Sequence, residues 1–305
     1  MGSEVRSCRF GRTSRSLKRP NLFIVGAPRC GTTTLWSYLK EHPEIFMSRE
    51  KELYFFDSDL WGRPEWAPTL EQYLAHFSSA GDRQRVMGEA TPSYLRSKRA
   101  PTEIKSFSPE ARIIIMLRNP LDVMYSLHAQ ALRYGTEPIG SFELALEADK
   151  KREDRKSVGY WTFTDFPDQV KRYLNLFGRE RVHIVIFDDL KKDLGSVFQG
   201  TLHFLAVSPF MAPISGARNA NLDTRIVGLQ RILAQPPWTC KIISRVLPKR
   251  LRIDIAHALS GWNLVERPRP PMQDEVKKRL QGEFQPKVQE LSILLERDLT
   301  GWLQH

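Results

Sequence analysis

Cysteine is scarce in this chain of 305 residues: Cys8, Cys30 and Cys240 are scattered and form no C-x-x-C pair. That excludes a disulfide framework and a thiolate zinc cluster. The histidines (His42, His76, His128, His183, His203, His257 and His305) show no metal-ligand spacing, so no metal site is expected. No apolar run approaches the ~20 residues that a membrane span needs, and no internal repeat is visible. The first twenty residues lack the apolar core of a secretory signal. They carry Arg6, Arg9, Arg12, Arg15, Lys18 and Arg19 against one acid, Glu4. Residues 1–20 therefore read as a disordered basic leader rather than an organellar presequence, and a reducing, cytoplasmic setting is the expectation.

What is present is a globular composition, 41% hydrophobic and 27% charged. Forty-six Lys and Arg against 35 Asp and Glu give a net charge of +11, which calls for an anionic partner: nucleotide, polyanion or membrane. Much of the excess sits in the leader, so no nucleic-acid stripe is required. From residue 21 strands and helices alternate. Residues 21–25 (NLFIV) and 111–117 (ARIIIML) are buried strands by pattern, and 85–89 and 181–187 (RVHIVIF) add two more. Leu35 and Leu39 mark a helix that Pro43 stops, and residues 69–79 form another. Asn119 caps a third, with Pro120 at its first position and Leu121, Met124, Leu127 and Ala131 as its apolar stripe. Asp188 or Asp189 is expected to cap the helix after residue 187. Val288, Leu291 and Leu295 continue helical spacing before Trp302. The alternation predicts an α/β fold, a three-layer α/β/α sandwich around a parallel sheet, with its site at the strand carboxyl ends. Residues 21–305 form one domain, and the proline-rich stretch 208–272 supplies helices and loops that decorate it.

The segment Gly26-Ala27-Pro28-Arg29-Cys30-Gly31-Thr32-Thr33-Thr34 joins a strand to a helix, where backbone N–H groups and hydroxyls can surround an anion. Its spacing is P-loop-like, but Thr32 fills the lysine position of G-x-x-x-x-G-K-[ST] and Arg29 is the cation inside the loop. A P-loop nucleotide kinase-like phosphotransferase is the runner-up, since HIVIFDD has the look of a strand ending in metal-holding acids. A phosphatase role for Cys30 fails, because the position needing Arg is Trp36. Arg118-Asn119-Pro120 after a strand, with Ser126 seven residues past Asn119, suggests a second anion site. A ligand with two phosphate-like groups is implied.

In this order, GAPRCGTTTL, KELYFFD, GEATPSYL and RNPLDVMYS resemble the sulfotransferases that use 3′-phosphoadenosine 5′-phosphosulfate (PAPS), particularly bacterial members and the heparan-sulfate branch. PRPPMQDEVKKRL and LLERDLTGW extend the resemblance to the carboxyl terminus. It implies transfer of a sulfuryl group from PAPS, without a metal, to a hydroxyl of a carbohydrate or small molecule. It also implies that Arg29, Cys30, Gly31, Thr32, Thr33 and Thr34 hold the 5′-phosphosulfate, and that Arg118 and Ser126 hold the 3′-phosphate. This chain has Arg29 where many members have Lys; arginine cannot shuttle a proton, so its role is charge stabilisation. Val123 stands where a helix Arg is frequent, and Arg267 or Arg269 is the candidate to close over the nucleotide.

Glu52 is the candidate base, with apolar neighbours expected to raise its pKa; otherwise it is a surface carboxylate paired with Lys51. His128 is the rival base. Tyr54, Phe55 and Phe56 are assigned to the core, and Trp161 and Tyr94 are candidates to line a pocket. A non-enzymatic polyanion-binding module, resting on the basic leader, is the remaining alternative.

Overall fold

The apolar run near residue 22 is the middle of the sheet. The computed structural model describes residues 18–61, 67–152, 158–212, 222–224, 264–266 and 270–304. In it β1 (Leu22–Gly26) is buried throughout and pairs in parallel on both sides. A strand covered on both faces has no solvent side to make polar, hence the unbroken LFIV. With β2 (Ile45–Met47), β3 (Val86–Ala90), β4 (Arg112–Leu117) and β5 (Val182–Ile186) the order is β2-β3-β1-β4-β5, every pairing parallel. All five carboxyl ends therefore lie along one edge, and the strand order reverses at β1, with β2 and β3 on one side of it and β4 and β5 on the other.

Helices cover both faces: α1 (Thr32–Lys40), α2 (Ser58–Trp61), α3 (Leu70–Ala75), α4 (Ala100–Phe107), α5 (Pro120–Arg133), α6 (Phe142–Lys151), α7 (Tyr160–Phe163), α8 (Phe166–Phe177), α9 (Phe187–Lys192), α10 (Leu194–Phe204) and α11 (Asp274–Leu295). The expected three-layer α/β/α architecture is present. Helix α1 lies against β1, β2 and β3, and α8 against β4 and β5. A separate antiparallel pair joins β6 (Leu222–Thr224) to β7 (Leu264–Glu266). The rest of the proline-rich stretch between them, Arg267, Arg269, Cys8 and Cys240 fall outside the described residues.

Local chemistry explains the boundaries. Asn119 accepts from the Leu121 N–H at 3.0 Å, with Pro120 behind it, as the sequence predicts. Thr69 and Gln72 form a reciprocal capping box at α3, although that helix stops at Ala75, short of residue 79. Asp188 and Asp189 do not cap α9. Asp188 accepts the Trp302 indole N–H at 2.8 Å, and Asp189 accepts Arg297 at 2.5 and 2.8 Å, so both acids tie the carboxyl-terminal tail to the end of β5. In α11, Val276, Leu280, Phe284, Val288 and Leu291 form one buried stripe against α8 and α5. Of the leader, residues 1–17 fall outside the described residues; Lys18 donates to the Ala80 carbonyl, and Arg19 lies over the Phe107 ring at 5.2 Å.

Beyond α5 the chain is pinned by Glu137, whose side chain is fully buried. It accepts both prongs of Arg152 at 2.7 and 2.9 Å, the Ile139 N–H at 3.0 Å and the Tyr160 hydroxyl at 3.2 Å. Burial alone would raise its pKa, but the Arg152 bonds prevail and hold it below the usual carboxylate range. Arg152→Ala would strand that charge, so urea unfolding should register a loss of about 3–5 kcal/mol. A loss below about 1 kcal/mol would show that Glu137 does not depend on its partner.

Candidate active site

Two glycines shape the loop after β1. Gly26 has φ 156°, and a Cβ there would stand 2.5 Å from Leu95 Cβ. Gly31 has φ 88° and opens α1; a Cβ on it would lie 2.8 Å from Leu190 Cδ2. Neither position admits another residue without displacing its neighbours. Between them, exposed Arg29 also adopts a left-handed φ of 65° and sends its Nε to Ser126 Oγ at 2.7 Å. Arg118, leaving β4, reaches the Arg29 carbonyl with Nη1 at 3.5 Å and lies over Phe187 at 4.7 Å. Loop, strand end and α5 thus bring Arg29, Arg118 and Ser126 together at the sheet's carboxyl edge.

Arg118 also bonds Asp122 Oδ2 through Nε and Nη2, at 3.1 and 2.9 Å. Asp122 is half exposed, and such a pair contributes only about 0.2–1 kcal/mol. A charge-assisted bond from Arg118 to a phosphate oxygen, roughly 1.5–3 kcal/mol, would displace it.

Thr32 and Thr34 are buried and Thr33 is exposed. The Cys30 side chain is fully buried and its thiol donates to the Pro28 carbonyl at 3.5 Å. Burial pushes its pKa up to about 12, so Cys30 offers a ligand only its backbone N–H.

Glu52 stands beside Lys51, which reaches the same loop. Its carboxylate accepts the Tyr54 hydroxyl and lies 3.7 Å from Lys51 Nζ, with 39% of its side chain exposed. The surroundings expected to be apolar are therefore polar. Lys51 is the residue that the sequence reading passed over. Its Nζ donates to Thr32 Oγ1 and to Thr33 Oγ1, each at 3.1 Å.

His128 does not join them. It is buried, its Nε2 is 2.9 Å from the Ile139 carbonyl, and its ring packs on Phe142 and Tyr160. Serine and histidine two residues apart on a helix face different sides, so Ser126 meets Arg29 while His128 points into the core. The pocket roles considered for Trp161 and Tyr94 also fall away. Trp161 stacks on Phe284 and donates to the Leu146 carbonyl, and Tyr94 is fully buried. Phe56 is core as expected and Phe55 stacks on Tyr73 at 4.4 Å, but Tyr54 belongs to the site.

Among the described residues five non-glycines have positive φ, and Arg29, Glu52 and Tyr54 are three of them. Each such position costs roughly 1–3 kcal/mol and needs support from its surroundings. For residues 52–55 the support is β3 and the turn that follows it. The Glu52 N–H donates to the Ala90 carbonyl at 3.1 Å, the Leu53 N–H to Thr91 Oγ1 at 3.0 Å, and the Phe55 N–H to the Tyr94 hydroxyl at 2.9 Å. Both hydroxyls in turn contact Glu89, a wholly buried carboxyl that also takes the Tyr73 hydroxyl at 2.6 Å. Burial raises Glu89 to about 7, against the pull of its three hydroxyl donors.

A raised carboxyl pKa makes the native state hold a proton that the unfolded chain releases, so this contribution to stability falls as pH rises from about 4.5 to about 7. Glu89→Gln removes that dependence. In urea unfolding across this window, wild type should lose stability relative to the variant by up to about 1.4 kcal/mol per pH unit. Parallel curves would place the Glu89 titration elsewhere.

Residues 19–212 match the family described as Sulfotransferase domain. Among curated proteins the chain is 33% identical over 105 residues to the membrane-associated sulfotransferase kil1 of Dictyostelium discoideum, a match covering 34% of this chain and 21% of that protein. It is 25% identical over 202 residues to the bifunctional heparan sulfate N-deacetylase/N-sulfotransferase 1 of Caenorhabditis elegans, covering 65% and 23% respectively. The chain thus spans under a quarter of the length of these relatives. The crystal structure of a sulfotransferase from Alicyclobacillus acidocaldarius superposes with a TM-score of 0.71 at 26% identity, covering 93% of this chain and 99% of that one. A strand-loop-helix with arginine and threonine donors, a second arginine at the neighbouring strand's end and a carboxylate beside the lysine that reaches those threonines agree with that match: the chain belongs to the sulfotransferase domain family.

Proposed function

We propose that this protein moves a sulfuryl group from PAPS to a hydroxyl, with a carbohydrate as the favoured acceptor class. The observation that carries the reading is the meeting of Arg29, Arg118, Ser126 and the loop threonines at one sheet edge with Glu52 beside them. The relative named for heparan sulfate supports a sugar acceptor.

The bound donor supplies an activated sulfonate. The loop N–H groups and Thr32 and Thr33 receive its 5′ end, and Arg118 with Ser126 receives its 3′-phosphate. Arg29, bonded to Ser126, adds a permanent positive charge between the two. A sulfonate carries less charge than a terminal phosphate, so fixed donors and cations suffice without a divalent ion. Glu52 accepts the acceptor's proton, a contribution of roughly 10²–10⁴ in rate. The Tyr54 hydroxyl, bonded to Glu52, holds that carboxylate in place. The kinase reading loses its metal-holding acids, because Asp188 and Asp189 are committed to Trp302 and Arg297.

Adenosine 3′,5′-bisphosphate should raise the melting temperature more than ATP does, with or without magnesium. Arg118→Ala should weaken its binding about tenfold or more, while Asp122→Asn, which removes a competitor for that guanidinium, should not weaken it at all. A preference for magnesium-ATP would overturn the donor assignment. Transfer of radiolabelled sulfate from PAPS across a panel of sugars and phenols tests the activity itself. There Glu52→Gln should keep bisphosphate affinity and lose about 10²-fold or more in kcat; full turnover in that variant would remove Glu52 as the base.

A further inference from the structure

Besides Arg29 within it, this phosphate loop receives a second cation from outside. In G-x-x-x-x-G-K-[ST] the lysine follows the second glycine and extends to the enclosed anion. Here Thr32 holds that position, and Lys51, from the segment after β2, places its ammonium 3.1 Å from the Thr32 hydroxyl and 3.1 Å from that of Thr33. Only 15% of the Lys51 side chain is exposed, and its nearest carboxylate, Glu52, stands off at 3.7 Å. Two neutral hydroxyls are weak compensation for a buried ammonium. Burial accordingly lowers its pKa from the ordinary lysine value, against the opposing pull of Glu52.

The backbone is bent to produce this arrangement. Consecutive residues in extended chain point to opposite sides, but the left-handed φ of 68° at Glu52 accompanies a geometry in which Lys51 and Glu52 share one side. Arg29 directs its Nε to Ser126, while Lys51 meets the loop at Thr32 and Thr33.

We propose that Lys51 is a catalytic residue: together with Thr32 and Thr33 it grips the donor at the bridge between phosphate and sulfonate and neutralises the charge released there. The assignment rests on the sulfuryl-transfer reading and adds a residue to it. In the step, the acceptor oxygen forms a bond to sulfur and its proton passes to Glu52. The bond from sulfur to the bridging oxygen breaks, and its electron pair stays on that oxygen, which becomes a terminal oxygen of the 5′-phosphate. The Lys51 ammonium compensates the new negative charge.

Wild type, Lys51→Met and Lys51→Arg separate the possibilities, with thermal melting as the check on folding. Calorimetry with inorganic pyrophosphate, adenosine 3′,5′-bisphosphate and adenosine 3′-phosphate reads the anion site; turnover at saturating PAPS reads the chemistry. Lys51→Met should weaken pyrophosphate and the bisphosphate about tenfold or more. It should leave adenosine 3′-phosphate unchanged and lower kcat about 10²–10³-fold. Lys51→Arg should restore much of the affinity. A folded Lys51→Met protein with wild-type pyrophosphate affinity and wild-type kcat overturns the proposal. If the variant loses pyrophosphate but wild type transfers no sulfate, Lys51 stands as the loop's cation and the sulfuryl chemistry, its catalytic role included, is refuted.

Discussion

One buried carboxyl governs the shape of the site without touching it. Glu89 takes hydrogen bonds from Thr91 and Tyr94, and that direction leaves the two hydroxyl oxygens with lone pairs for the N–H groups of Leu53 and Phe55. Were the hydroxyls turned around, two buried backbone donors would lose their acceptors. The bonds, each worth roughly 1 kcal/mol net, offset the left-handed conformations at Glu52 and Tyr54. Phe56, buried among Phe23, Tyr73 and Tyr94, fixes the far end of the segment. KELYFFD and GEATPSYL, separate in sequence, are therefore two halves of one hydrogen-bonded unit.

The parallel sheet supplies the rest of the geometry. Because its strands run the same way, the turns after β1, β2 and β4 open on one edge, where three cations (Arg29, Lys51 and Arg118) gather against Glu52 and Asp122. The carboxyl-terminal tail closes this frame from a distance. The Trp302 carbonyl accepts from Asn119 at 2.6 Å while its indole donates to Asp188, so one residue links the start of α5 to the end of β5. Arg118 immediately precedes the residue so held.

Buried strands, the Asn119-Pro120 helix start and the glycine-framed loop were legible because each depends on residues near in sequence. β2 went unread because three residues, Ile45–Met47, are too few to show a period. Asp188 and Asp189 look like helix caps, and only the folded tail reveals Trp302 and Arg297 as their partners. Lys51 looked like an ordinary partner for its neighbour, since nothing local says that its ammonium meets Thr32, nineteen residues earlier. Glu89 was read simply as the end of a strand, although its companions Thr91 and Tyr94 stand within five residues of it. A spacing of two on a helix already separates His128 from Ser126.

Arginine at position 29 fits a site in which positioning and charge compensation are carried by different side chains. A guanidinium presents donors in a fixed plane and stays charged, which suits holding Ser126 Oγ at 2.7 Å while facing an anion. An ammonium is a compact charge with rotatable donors, and Lys51 brings it to the hydroxyls at the helix end of the loop. A lone lysine in the loop would have to serve both places. Moving the lysine onto the segment that also carries Glu52 leaves carboxylate and ammonium on neighbouring residues. The hydrogen bonds from β3 that fix Glu52 therefore fix the position of Lys51 as well.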